Sequence, residues 1–203
     1  MEKKITKIEK QTKRDRYNIY LNGVYSFSLS SHVLVDCGLE ENHSLTDRQI
    51  EEIKNADETG KAYNRAILIL SYRANTESEL KRKLTKNFDE ATVEKVAIKL
   101  KGQGLINDTD FAERYIKQSK KGKRLVSLEL MKKGVDKETI SFLMQDKDEE
   151  IELENALKTA ERTLKKYEKS DIHTQKTKIY ESLTRKGFSY DIFKQVVKRL
   201  EIR

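Results

Sequence analysis

The sequence predicts a mainly α-helical chain, an elongated array of three tandem three-helix repeats preceded by a small N-terminal β-hairpin extension. Three observations carry this: a leucine-anchored turn that occurs three times, apolar/polar alternation on both sides of Asn22-Gly23, and a composition too charged for one thick core. The copies of the turn read Glu79-Leu80-Lys81-Arg82-Lys83-Leu84, Glu129-Leu130-Met131-Lys132-Lys133-Gly134-Val135 and Glu181-Ser182-Leu183-Thr184-Arg185-Lys186-Gly187-Phe188. Their anchors Leu84, Leu130 and Leu183 stand roughly fifty residues apart, in the range of two- or three-helix repeats. Hydrophobic residues make up 36% and charged residues 37% of the 203, against averages of roughly 45–50% and 25%. A string of small bundles, each stabilised by its neighbour, suits those proportions.

The elements follow in order. Ile5 and Ile8 fit a strand over residues 3 to 10. Tyr17, Ile19 and Leu21 alternate with polar neighbours, as do Val24 to Leu29, and the Asn22-Gly23 between them signals a hairpin with a type I′ turn. Alternation puts Tyr17 and Tyr20 on opposite faces, so at least one is expected in the core. Ser30-Ser31 can cap a short helix over Val33, Leu34 and Val35 that stops at Gly38. Thr46 followed by Gln49 has the capping-box form, and from there helical periodicity dominates.

Ala62, Ala66, Ile67, Ile69, Leu70 and Tyr72 share one helix, and Thr76 with Glu79 forms a second capping box. The first copy of the turn ends without glycine at Asn87-Phe88-Asp89. Val93, Val96, Ala97 and Leu100 stripe the next helix, which Gly102 and Gly104 end. Asp108 is expected to cap the helix carrying Phe111, Ala112, Tyr115 and Ile116. Gly134 and Gly187 suit the left-handed position that stops a helix, and Asp136 and Ser189 can start the next, with Ile140, Leu143 and Met144 or Ile192, Phe193, Val196, Val197 and Leu200 as their stripes. Residues 148 to 169 read as a long solvated helix burying Ile151, Ala156, Leu157, Ala160 and Leu164. The expected segments are 1–45 for the extension and 46–106, 107–147 and 148–203 for the repeats.

The net charge is +8 and the pI near 9.3. Residues 91–125 carry nine Lys/Arg against four acids, whereas residues 36–60 carry eight acids against Arg48 and Lys54. Basic stretches attract phosphate or an acidic protein surface, although a single Lys/Arg pair is ordinarily a solvated helix face. Recurrence of Lys-Arg-Lys, Lys-Lys and Arg-Lys at one point of each repeat favours contact. The candidates are Lys81, Arg82, Lys83, Lys132, Lys133, Arg185 and Lys186, with Lys120, Lys121, Lys123 and Arg124 as a second patch. Tyr17, Tyr20 and Tyr25 beside Lys13, Arg14 and Arg16 form another aromatic-plus-basic candidate for nucleic acid.

No catalytic residue, metal site or cofactor is expected. Gly60-Lys61 lacks the Walker pattern, and His32, His43 and His173 are not at ligand spacing. Asp148, Glu149, Glu150, Glu152 and Glu154 read as the favourable negative first turn of a helix rather than a cation site. The lone Cys37 excludes an internal disulfide and reads as a buried, inert thiol. No stretch suits a membrane span or signal sequence, so the expected compartment is the cytoplasm.

Three segments together carry a family resemblance: Arg73-Ala74-Asn75-Thr76-Glu77-Ser78-Glu79-Leu80-Lys81-Arg82-Lys83-Leu84, Gly104-Leu105-Ile106-Asn107-Asp108-Thr109-Asp110-Phe111-Ala112-Glu113-Arg114-Tyr115, and Leu128-Glu129-Leu130-Met131-Lys132-Lys133-Gly134-Val135. In this order they resemble RecX, the bacterial regulator of the RecA recombinase, over roughly residues 61 to 203. That family usually has a second arginine where Asn75 stands and an acid where Asn107 stands. The resemblance implies an all-helical chain of three three-helix repeats that binds the RecA–DNA filament and restrains ATP hydrolysis, strand exchange and co-protease activity. It places the chain in DNA repair, homologous recombination and the SOS response. The implied partners are the RecA filament and DNA, single-stranded and by the same phosphate contacts double-stranded, bound by a monomer. The competing readings are a free-standing DNA-binding protein using helix-turn-helix readers and an enzyme acting on nucleic acid, for which the missing motifs speak against the second.

Overall fold

The structure, a computed structural model, describes residues 2–145 and 149–202. It divides into two compact units. The first runs to Arg73 and resumes over Leu80–Leu105; the second takes in Ala74–Glu79 and the chain from Ile106 onward.

In the first unit, β1 (Glu2–Lys10), β2 (Arg16–Leu21) and β3 (Val24–Ser30) form the expected strands. Asn22 and Gly23 have φ of 49° and 83°, both left-handed, as a type I′ turn requires. A fourth strand, β4 (Ser44–Thr46), pairs with β1 and gives the antiparallel order β3-β2-β1-β4. Its three residues are too few to show alternation in sequence. Ile5, Ile19, Leu21, Phe27 and Leu29 pack with Val33 of α1 (Ser31–Asp36), with Leu39 and Leu45, and with Ile50 and Ile53 of α2 (Asp47–Tyr72). Thr46 and Gln49 form the full capping box that starts α2.

Two expectations fail here. The β2–β3 register shifts between Ile19 and Tyr20, so Tyr20 faces Tyr25, and Tyr17 and Tyr20 are both half-buried rather than core. Tyr20 instead donates its hydroxyl to Glu9 at 3.0 Å and meets the Tyr25 ring edge-on at 5.9 Å. Cys37 is exposed, because α1 ends there and the chain turns at Gly38 to send Leu39 inward. Partial burial and the neighbouring Asp36 carboxylate push its thiol pKa up.

One buried polar junction ties the sheet to α2. The Asp57 carboxylate accepts from Arg16 at 2.8 Å, the Ser30 amide at 2.9 Å and Lys61 at 3.0 Å. Burial alone would raise its pKa; those donors outweigh it and hold the carboxyl below the usual range. Further along, α2 buries Ala62 and Ala66 and packs against α4 (Glu90–Gly102), whose stripe Val93, Val96, Ala97 and Leu100 is buried as expected. Asp89 caps α4 through the Thr92 amide at 2.9 Å.

The second unit holds α5 (Asp108–Gln118), α6 (Lys123–Lys132) and α7 (Lys137–Gln145) around Ala112, Ile116, Val126, Leu130, Val135, Ile140 and Leu143. It also holds α8 (Glu149–Lys166), α9 (Ile172–Arg185) and α10 (Tyr190–Arg199) around Leu153, Ala156, Ala160, Ile179, Leu183, Phe188, Ile192 and Val196. The chain is thus mainly helical behind a small sheet, with its helices in threes. Asp136 and Ser189 accept from the Thr139 and Ile192 amides at 2.7 and 3.2 Å and start α7 and α10.

Two helix details differ from expectation. Asn107 caps α5, accepting from the Thr109 and Asp110 amides at 3.0 and 3.2 Å, because its backbone is extended while Asp108 is already helical. Asparagine caps as well as an acid does, so the departure at Asn107 leaves the helix start intact. On α8 the stripe is rotated: Glu152, Leu153, Ala156, Thr159 and Ala160 are buried, whereas Ile151 is 55% exposed. Asp148 lies outside the described residues.

A candidate cationic interface at the repeat turns

The recurrent turn is a joint before it is a surface. After α6, the Gly134 amide donates to Met131 and the Val135 amide to Leu130; after α9, Gly187 donates to Thr184 and Phe188 to Leu183. This is the Schellman pattern, and φ values of 86° and 82° at Gly134 and Gly187 are what it needs. The anchors Leu130 and Leu183 and the following Val135 and Phe188 are buried, which explains the shared five-residue leucine-to-apolar spacing of these two copies.

Each glycine turn then seats on the first turn of another helix. Gly134 lies against Ser78, at the start of α3 (Glu77–Leu84), so closely that a Cβ would overlap the Ser78 side chain. Thr76 donates its hydroxyl to the Lys133 carbonyl while accepting the Glu79 amide at 3.1 Å. Gly187 lies equally close to Leu125 at the start of α6, and its carbonyl and that of Lys186 accept the Arg124 and Gly122 amides at 3.3 and 3.0 Å. A carboxylate from a third helix completes both joints. Asp108 of α5 accepts the Glu77 amide, and buried Glu152 of α8 accepts the Lys123 amide, each at 2.8 Å. Free amides at a helix start and the positive end of its dipole make a carboxylate favourable there. Sequence reading missed both roles, assigning Asp108 and Glu152 to their own helices. For Asp108 the available signal was an acid in the first turn of a helix that Asn107 already caps.

This geometry sorts the sequence-predicted cations. The second basic residue of each turn points inward: Lys133 bonds Glu79 at 2.9 Å and lies 5.5 and 5.8 Å from the Phe111 and Tyr115 ring centroids, and Lys186 donates to Thr159 at 3.0 Å. Lys81 pairs with Glu94 at 2.6 Å. Lys121 pairs with Glu129, which also accepts the Tyr115 hydroxyl at 2.7 Å. Burial and the Glu129 bond push the Tyr115 phenol up to about 12, and bonds from Lys121 and Tyr115 pull the Glu129 carboxyl down. Lys83 and Lys123 are half-buried.

Arg82, Lys120, Arg124, Lys132 and Arg185 are exposed and make no side-chain ion pair among the described residues. Full charge on an unpaired, solvated guanidinium or ammonium is what phosphate contact uses. Arg82 belongs to the first unit and the other four to the second. Among the described residues no group of three His, Cys, Asp or Glu could hold a metal, and no helix is long and apolar enough to cross a membrane.

A small antiparallel sheet followed by three-helix sets whose glycine turns and carboxylates lock onto neighbouring helix starts defines a tandem three-helix-repeat protein. Family models sharpen this: the regulatory protein RecX N-terminal domain matches residues 3–46, the RecX first three-helix domain residues 62–100, and the RecX third three-helix domain residues 149–197. The chain belongs to the RecX family of regulatory proteins. It is 39% identical to "Regulatory protein RecX" of Listeria innocua over 197 residues, which are 94% of this chain and 73% of that one, and 35% identical to that of Limosilactobacillus reuteri over 95% and 75%. A crystal structure of regulatory protein RecX superposes with a TM-score of 0.79 at 34% identity, covering 97% of this chain and 99% of that chain. RecX from Lactobacillus salivarius does so at 0.66 and 31%, covering 73% and 99%.

Proposed function

We propose that this protein is a cytoplasmic, non-enzymatic regulator that binds the RecA–DNA filament and restrains its ATP hydrolysis, strand exchange and co-protease activity. The observation that carries the reading is family membership along nearly the whole chain, together with exposed, unpaired cations at the turns. Arg82, Lys120, Arg124, Lys132 and Arg185 are the contact residues on this reading, meeting filament carboxylates or DNA phosphates. Lys133 and Lys186 act through the joints, by holding the turns that present Lys132 and Arg185. A monomer suffices, and the functional segments run over residues 1–45, 46–106, 107–147 and 148–203.

The test is RecA's single-strand-dependent ATP hydrolysis and strand exchange, measured with this protein at substoichiometric and then equimolar amounts. Both activities should fall at levels that leave bare single strands unsequestered, and charge reversal at the five exposed cations should restore them. No effect at full occupancy would return the chain to the reading of a free-standing DNA-binding protein, whose signature is duplex sequence preference without RecA.

A further inference from the structure

Between α8 and α9 lies an open cleft of about 480 Å³ whose lining is dominated by cations. Arg162, Lys166, Lys178, Arg185 and Lys186 line it against the single acid Glu181. Two of the five are engaged: Lys178 with Glu181 at 3.0 Å and Lys186 with the Thr159 hydroxyl. Arg162, Lys166 and Arg185 are exposed and make no ion pair among the described residues. Like charges crowded into a concavity repel one another, and an anion relieves that repulsion. Hydroxyls add polar lining. Thr163 donates its hydroxyl to the Thr159 carbonyl at 3.0 Å and its Oγ1 lies 3.2 Å from Ser182 Oγ, and both side chains line the cleft.

We propose that this cleft seats the phosphodiester backbone of a single nucleic-acid strand, with Arg162, Lys166 and Arg185 neutralising its phosphates. Open geometry favours a chain running through over an enclosed small anion. Arg162 and Lys166, one helical turn apart with Cβ atoms about 5–6 Å from each other, can serve successive phosphates. Tyr167 lines the same cleft, with Lys166 Nζ 5.7 Å from its ring centroid, and offers a face on which a base can stack. The inference rests on the proposed function only for its biological setting; the binding itself requires no RecA.

Fluorescence anisotropy of a labelled oligothymidylate with the full chain tests it. R162Q/K166Q/R185Q should weaken binding about tenfold or more and lower the slope of log affinity against log salt by about two, since each single-strand phosphate contact contributes roughly 0.7. R162K/R185K should restore most of it, and K194Q/K198Q, which removes charge from α10 outside the cleft, should stay within about twofold. All three lost side chains are exposed, and an unchanged Tm would show that the fold persists. Equal losses in the α10 and cleft variants, or an unchanged salt slope, would overturn the proposal. So would displacement by adenosine monophosphate at concentrations matching the oligonucleotide phosphates, which would make the cleft a free-nucleotide site. If the wild type fails to restrain RecA while the cleft variant still loses oligonucleotide binding, the functional reading fails and the cleft stands.

Discussion

The two glycine joints use one backbone design and different side-chain chemistry. At Gly134 the contact is made by side chains: the Thr76 hydroxyl to the Lys133 carbonyl, and Lys133 to Glu79 beneath two aromatic rings. At Gly187 it is made by main chain, because Gly122, the residue before α6, has no side chain with which to cap it, and the Gly122 and Arg124 amides reach the Lys186 and Gly187 carbonyls. Both satisfy the same need, since a helix start has free amide hydrogens and a helix end has free carbonyls. The difference teaches that the motif conserves a position for the turn within the chain and leaves the bonds open to substitution. Sensitivity to mutation should therefore be shared at the glycines and diverge at the lysines.

The largest effect is expected at the shared element. Gly187→Ala places a Cβ against the Leu125 backbone amide at a left-handed φ, and should destabilise by on the order of 3 kcal/mol. Gly134→Ala meets the Ser78 side chain, so the double variant with Ser78→Gly should recover the overlap part of the loss and keep only the backbone strain. Thermal unfolding of the single and double variants measures this; absence of rescue would mean that Gly134 is needed for φ alone.

Divergence should appear at the lysines. Lys133→Met removes a charged partner from Glu79, a side chain only 8% exposed, at a cost of roughly 1–3 kcal/mol. Lys186→Met removes a donor from a neutral acceptor, the Thr159 hydroxyl, and should cost about 1 kcal/mol or less. Urea denaturation followed by helix signal can rank the two, and equal losses would refute the contrast between an ionic and a main-chain joint.

The smallest effect concerns pH. α7 is started by Asp136, whose carboxyl is held below its usual range first by the Thr139 hydroxyl and then by the Thr139 amide, whereas α10 is started by the non-titrating Ser189. A depressed folded pKa means that the Asp136 cap contributes fully above the unfolded value, about 3.9, and is lost as pH falls through the folded one. The Thr139 amide resonance should titrate with a midpoint below that of an ordinary aspartate while the Ile192 amide stays flat. Asp136→Ser should abolish the Thr139 titration.

Features legible in sequence were those decided within a few residues. The Asn22-Gly23 turn, the Thr46–Gln49 box, the stops at Gly134 and Gly187 and the starts at Asp136 and Ser189 all depend on neighbours one to five positions away. Misread features depended on distant ones. β4 exists because β1 supplies its partner, Cys37 is exposed because Leu39 takes the inward place, and the α8 stripe turns toward Leu153 because α9 and α10 lie on that side. The candidate cations show the same division. Recurrence marked Lys132-Lys133 and Arg185-Lys186, yet nothing in a pair of adjacent lysines or arginines says which one meets Glu79 or Thr159.

The chain by itself determined its helix periods, its caps and stops, its repeat and its excess of positive charge, because backbone dihedrals, hydrophobic periodicity and net charge are local or additive properties. Tertiary structure alone decided which amide Asp108 and Glu152 would cap, which lysines would be drawn into the joints, and that Arg162, Lys166 and Arg185 would share one cleft. Those outcomes are relations between helices, set by how packed faces bring distant polar groups within bonding distance.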